Sequence, residues 1–156
     1  MINLSLKYNV PVVVMHMKGI PENMQDNPYY EDATTEILNW LENRTNELIA
    51  YGIEREKIII DPGIGFGKRL EDNLDIISEF GDFLNLGFAL MVGYSRKSFI
   101  GLLTGKEPRE RVAGGLAVLG KLLDSGAQII RVHDVAETVD YIKVWKALES
   151  GGDGKR

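Results

Sequence analysis

Four short apolar runs rich in β-branched residues alternate along the chain with four longer segments of helical period, and this alternation constrains the fold more than any other feature. It predicts a parallel sheet with helices outside it, because parallel strands need helical crossovers to connect them. The expected strands are VPVVVMH (Val10–His16), KIIID (Lys57–Asp61), FALMVG (Phe88–Gly93) and QIIRVH (Gln128–His133). Each is almost continuously apolar, the pattern of a strand covered on both faces. The helical segments carry Ile37, Leu41 and Leu48; Leu70, Leu74 and Ile77; Val112, Leu116, Leu119 and Leu123; and Val135, Val139 and Ile142. Each spacing gives one apolar stripe to lay on the sheet. Gly81 and Gly126 are expected to close helices, and Asp134 with Glu137 has capping-box spacing. Residues 1–149 then form one α/β unit, beginning with the end of a helix at Met1–Asn9, and 150–156 a mobile tail.

The polar residues gather at the strands' carboxyl ends. Met15, His16 and Met17 follow the first strand; Asp61 and the loop DPGIGFGK end the second. Gly93, Ser95, Arg96 and Lys97 follow the third, and Arg131 and His133 close the fourth. In parallel α/β folds, open or closed as a (β/α)8 barrel, ligands bind beyond these ends. DPGIGFGK is neither common phosphate-loop motif. Its glycines run G-x-G-x-G rather than G-x-G-x-x-G, and Pro62 and Arg69 stand where a Walker loop needs glycine and a hydroxyl. GLLTGKE, at 101–107, misses the Walker pattern too. The alternate glycines are expected to permit positive φ and close backbone approach to a ligand, with Pro62 stiffening the exit from the strand.

Composition narrows the chemistry. The chain has 156 residues, the length of one domain, and no cysteine, which removes disulfides, thiolate nucleophiles and cysteine-held metals. A formal charge of −5 gives no general attraction to nucleic acid or an anionic membrane. No apolar run approaches the roughly 20 residues of a membrane span, and no leader pattern opens the sequence. A soluble cytoplasmic protein is the expectation.

Taken together, MHMKGIP, DPGIGFGK, GYSRKSFIG and RVHDV, in this order and spacing, resemble the second half of the dihydropteroate synthase family. The resemblance spans Val10 to about Leu148. It implies a (β/α)8 TIM-barrel type of fold of which only about four C-terminal βα units are present. It also implies a reaction: condensation of 7,8-dihydropterin-6-ylmethyl diphosphate with para-aminobenzoate to dihydropteroate and diphosphate, in folate biosynthesis, with sulfonamides competing for the aminobenzoate site. The family's first half, with its N-P-D-S-F segment and early-strand pterin contacts, is absent from this sequence.

The implied roles suit the residues. An ionised Asp61 would accept from the adjacent N–H and amine of a pterin, although Asp before Pro also opens turns. By resemblance Lys97 bonds the pterin carbonyl edge, Phe66 and Ser95 flank the aminobenzoate, and Met15 walls the pterin pocket. Arg131 and His133 alternate on a strand and so share a side. An arginine buried there is costly without an anion, which points to diphosphate, and the resemblance adds stacking of Arg131 on the pterin. Arg96 is expected to support its loop, and His16 to be a satisfied core histidine. Lys97, Arg131 and His133 are the expected catalytic groups. Mg2+ is expected on the diphosphate, held largely by the absent half, and no metal ligand is named in this chain.

Two other readings fit part of the pattern: a related pterin-binding methyltransferase, and a half-barrel interaction domain without catalysis. SRKS together with RVHD favours the synthase. Four strands leave a barrel open, so the isolated chain is expected to be inactive and to pair with itself or with the missing half.

Overall fold

The computed structural model describes residues 2–24 and 26–152. Helix α1 (Ile2–Tyr8) leads to β1 (Val12–Met15), α2 (Ala33–Ala50), β2 (Ile58–Asp61), α3 (Leu70–Ser78), β3 (Ala89–Val92), α4 (Ser98–Thr104), α5 (Val112–Asp124), β4 (Ile129–Ile130) and α6 (Val135–Gly152). The strands are all parallel and lie in chain order, β1-β2-β3-β4, with Met15 opposite Asp61 at one end of the first pair. This is the order of successive βα units in a (β/α) barrel.

Local chemistry sets the element ends. Asp32 caps α2 by accepting from the Thr35 N–H at 2.9 Å and its hydroxyl at 2.8 Å. Gly126, at φ +86°, follows α5 as expected. Gly81 does not close a helix: it lies inside a 3₁₀ segment, Phe80–Leu86, which Gly87 ends at φ +70°. Asp134 precedes α6, but Arg96 takes its carboxylate at 2.5 and 3.2 Å, so no capping box forms with Glu137 among the described residues. Helix α4 has no counterpart in the expected stripes. Residues 150–152 of the expected tail belong to α6, and 153–156 lie outside the described residues.

The core lies between the sheet and one layer of helices. Ile58, Ile60, Leu90 and Val92 are buried there with Ile37, Leu41, Leu119 and Leu122. Strand residues of opposite parity face away from these helices. Among them Val13 is 43% exposed, and Ile59, Met91 and Ile129 are half-buried. The expectation that both sheet faces are covered therefore holds for one face only; the apolar second face belongs to a barrel interior that four units do not enclose. Two helical stripes need correction as well. Leu74 points outward while Asn73, Ile76 and Ile77 face in, and Val135 and Val139 on α6 are exposed, leaving Thr138 buried.

Candidate functional site

DPGIGFGK folds as a loop at the end of β2, with Gly63, Gly65 and Gly67 at φ +71°, +79° and +62°. A Cβ at Gly63 would lie 1.9 Å from the carbonyl oxygen of His16, and one at Gly67 2.3 Å from that of Lys18. The close approach predicted toward a ligand is thus made to the chain's own loop after β1. Asp61 is buried, and its Oδ1 accepts from the Gly63 N–H at 2.8 Å. It does open the turn, and it does so through Oδ1. Burial raises the Asp61 carboxyl above its ordinary range, opposed by the Gly63 N–H and by the charges of Arg131, Lys68 and Lys97.

Those charges come from three loops. Lys97 follows β3 and places its Nζ 3.5 Å from the centre of the Phe66 ring. Burial, with Arg131 nearby, lowers its ammonium to about 8, against the pull of Asp61. Arg131 lies one residue past β4, its N–H still donating to the Val92 carbonyl at 2.9 Å. Its guanidinium crosses Gly93, where a Cβ would come within 2.7 Å of Nη2. His133 is held by Ser95, whose Oγ lies 3.1 Å from His133 Nδ1 and 3.3 Å from its backbone N. Phe66, Ser95, Lys97, Arg131 and His133 line one open cavity of about 400 Å³.

Two expectations change. Arg131 is exposed rather than buried, so desolvation does not by itself call for an anion, and it and His133 lie just beyond a two-residue strand. Met15 adjoins Gly63 but lines a different cavity, of about 190 Å³, with Val13 and Trp40. His16 is buried as foreseen, its ring edge-on to Trp40 with centroids 5.1 Å apart. Arg96, at φ +60°, supports its loop through Asp134.

Sequence reasoning missed two groups. Lys68 is buried at the loop's end, and burial lowers its ammonium to about 7. The only signal was its place directly after the third glycine. Arg111, at the start of α5, donates to the carbonyls of Arg96 at 2.9 Å and Lys97 at 3.2 Å, fixing the backbone that carries the lysine. Nothing in the local pattern marked it.

Comparison with known proteins places the chain in a family. The family profile described as pterin binding enzyme matches residues 1–133. The dihydropteroate synthase of Haemophilus influenzae is 42% identical over 143 residues, 92% of this chain and 52% of the relative. A solved dihydropteroate synthase of Yersinia pestis, in a sulfonamide drug complex, superposes with a TM-score of 0.92 at 39% identity, covering 96% of this chain and 55% of that one. That of Xanthomonas albilineans, in complex with 7,8-dihydropteroate, gives 0.87 at 38%, covering 95% and 54%. The chain spans about half the length of the curated relatives it matches.

Proposed function

Since the chain belongs to the pterin-binding enzyme family, we propose that it supplies the C-terminal half of a dihydropteroate synthase site. The reaction joins 7,8-dihydropterin-6-ylmethyl diphosphate to para-aminobenzoate. The amine nitrogen attacks the methylene carbon, the carbon–oxygen bond to diphosphate breaks with its electron pair leaving on oxygen, and the nitrogen gives up a proton. The names of the relatives favour this reading over a methyltransferase.

In this reading Asp61 binds the pterin through Oδ2, its other oxygen being held by Gly63. Lys97 takes the pterin carbonyl edge. Arg131 covers the pterin face and, with His133, neutralises the departing diphosphate. Phe66 and Ser95 hold the aminobenzoate, with Met15 an outer wall near Gly63. No side chain acts as nucleophile, so catalysis is positioning and electrostatics. Among the described residues no group of three or more His, Asp or Glu could hold a metal ion. Magnesium would come to the site on the diphosphate, and no step is assigned to it. The reading carries a cytoplasmic setting, supported by the cysteine-free composition; no helix among the described residues is long and apolar enough to cross a membrane. It also carries pairing with a second half-barrel.

The observation that carries the reading is the convergence of Asp61, Lys97 and Arg131, from three separate motifs, close enough that Arg131 and Lys97 act on the ionisation of Asp61, and Arg131 and Asp61 on that of Lys97. The test combines the chain with the N-terminal half of the Haemophilus influenzae relative and follows labelled aminobenzoate into dihydropteroate. Product is expected. A stable complex of the halves that binds neither substrate would overturn the proposal.

A further inference from the structure

The reaction outlined above leaves Lys68 without a task, although lysine is among the residue types least often buried and this one is 4% exposed. Its Nζ donates to the Phe66 carbonyl oxygen at 3.0 Å and lies 3.1 Å from Nδ1 of His16. An imidazole nitrogen accepts from an ammonium only when the ring is neutral and protonated on its other nitrogen. Burial, then the charges of Lys68 and Lys18, keep His16 neutral by lowering its pKa to about 3. The backbone of His16 is fixed independently. Its N–H donates to the Asp61 carbonyl at 3.0 Å, and its own carbonyl fills the space that Gly63 leaves. The amine of Lys68 thus joins a rigid point beyond β1 to the loop residue whose ring faces the cavity. The other backbone tie of Phe66 is its N–H to the Gly63 carbonyl, at 3.1 Å.

We propose that Lys68 is a positioning residue: anchored on His16, it holds the Phe66 backbone and so fixes the ring against which aminobenzoate is received. The assignment rests on the dihydropteroate synthase reading and deepens its aminobenzoate end. Lys68 touches no substrate. The charged groups facing its amine are Asp61 from β2, Asp72 from α3, Lys97 from the loop after β3 and Lys18 from the loop after β1. Because Asp61 is among them, loss of the amine has a second route to the site, through the pterin carboxylate, and the test separates the two.

Lys68→Met keeps the side-chain length and removes the donor, leaving the buried His16 nitrogen and the part-buried Phe66 carbonyl without it. In the complex of the 156-residue chain with the N-terminal half of the Haemophilus influenzae relative, amide exchange read by NMR needs no ligand. The Phe66 amide is expected to exchange at least about tenfold faster, while Leu119 in the middle of α5 keeps its rate. Dissociation constants for para-aminobenzoate and for inorganic diphosphate, measured in the complex with the N-terminal half of the Haemophilus influenzae relative, then give the second readout. Aminobenzoate binding should weaken about tenfold, the scale of one charge-assisted hydrogen bond, with diphosphate binding unchanged. His16→Leu, which removes the anchor, should reproduce both effects and decides the matter if Lys68→Met does not fold. Unchanged Phe66 exchange, or equal losses for the two ligands, overturns the role of Lys68. A wild-type complex of the two halves that binds no aminobenzoate overturns the synthase reading and this role with it; wild-type binding that both variants retain overturns this role alone.

Discussion

The ammonium of Lys97 stands 3.5 Å above the centre of the Phe66 ring, so one aromatic face serves both the charged and the apolar side of the cavity. A cation in that position gains roughly 0.5–2 kcal/mol, more as it is desolvated. Burial already lowers Lys97 to about 8, and the ring is one of the groups that keep it charged at neutral pH. Phe66→Leu preserves apolar bulk and removes the π face. Its expected effects are a lower pKa for Lys97, read from the ε-methylene shifts by NMR, and about tenfold weaker binding of para-aminobenzoate. A Lys97 pKa that stays or rises would show that the ring does not hold the ammonium.

Asp61 offers a clean separation of fold from binding. Its Oδ1 is engaged by the Gly63 N–H, and Asn keeps an oxygen there, so Asp61→Asn should retain the turn and the melting temperature. At the other position the amide presents a donor toward donors. The lost charge-assisted bond is worth about 1.5–3 kcal/mol, or one to two orders of magnitude in pterin affinity. Calorimetry in the complex of the two halves measures it. Unchanged pterin affinity would remove Asp61 from the site.

Gly63 tests the loop itself. At φ +71°, with a Cβ placed 1.9 Å from the His16 carbonyl, alanine meets both backbone strain and a clash with main chain that has no side-chain freedom to yield. Strain and overpacking together predict a loss of roughly 2–5 kcal/mol for Gly63→Ala. Gly105→Ala, at φ +68° with nothing within 4 Å of its Cβ, should cost only the strain, about 1 kcal/mol. Denaturant melts compare them, and equal losses would mean that the approach to His16 is not what requires glycine.

These particulars show what the sequence makes legible. The parallel order of the four strands and the gathering of Asp61, Phe66, Ser95, Lys97, Arg131 and His133 at one end follow from short-range pattern plus a general rule about parallel sheets. Burial does not, because it depends on which neighbours a helix finds. Val135 and Val139 have the spacing of a buried stripe, but α6 stands at the end of the helical layer and exposes them. Arg131 reads as buried from its place beside two isoleucines and is open for the same reason. Lys68 is the converse case. Its burial depends on His16, 52 positions away, a contact that no local period encodes.

Two buried bases give the chain a defined acid sensitivity. His16 titrates near 6.5 when unfolded and at about 3 in the fold, so the unfolded chain binds more protons between those values. The stability tied to neutral His16 is present above about 6.5 and is lost as pH falls through that window toward about 3. Lys68, lowered from 10.5 to about 7, has the same sign at higher pH, with stability rising across 7 to 10.5. The raised Asp61 carboxyl acts oppositely, favouring the fold at low pH. It is common to wild type and His16→Leu and drops out of their comparison. Melting temperatures from pH 7 to 4 should fall more steeply for wild type than for His16→Leu. Parallel curves would show that His16 does not bind its proton more weakly in the fold.

The open sheet carries the last prediction. Strands β1 and β4 are its two edges, and on the face away from the helices Val13 is 43% exposed. Parallel sheets are ordinarily covered on both faces, and unpaired edges invite pairing. On α6, Val144 and Leu148 are exposed as well, at 61% and 71%. The relatives have about twice the matched length, enough chain for the other strands of an eight-stranded barrel. The 156-residue chain alone is therefore expected to associate with itself or to be partly unfolded, and to form no dihydropteroate. Adding the N-terminal half of the Haemophilus influenzae relative should displace self-association with a one-to-one complex, seen by light scattering, and turnover of labelled aminobenzoate should appear with that complex. Steady turnover by a preparation that scatters as one chain per particle would mean that four βα units suffice, and that the open face is neither an interface nor a defect.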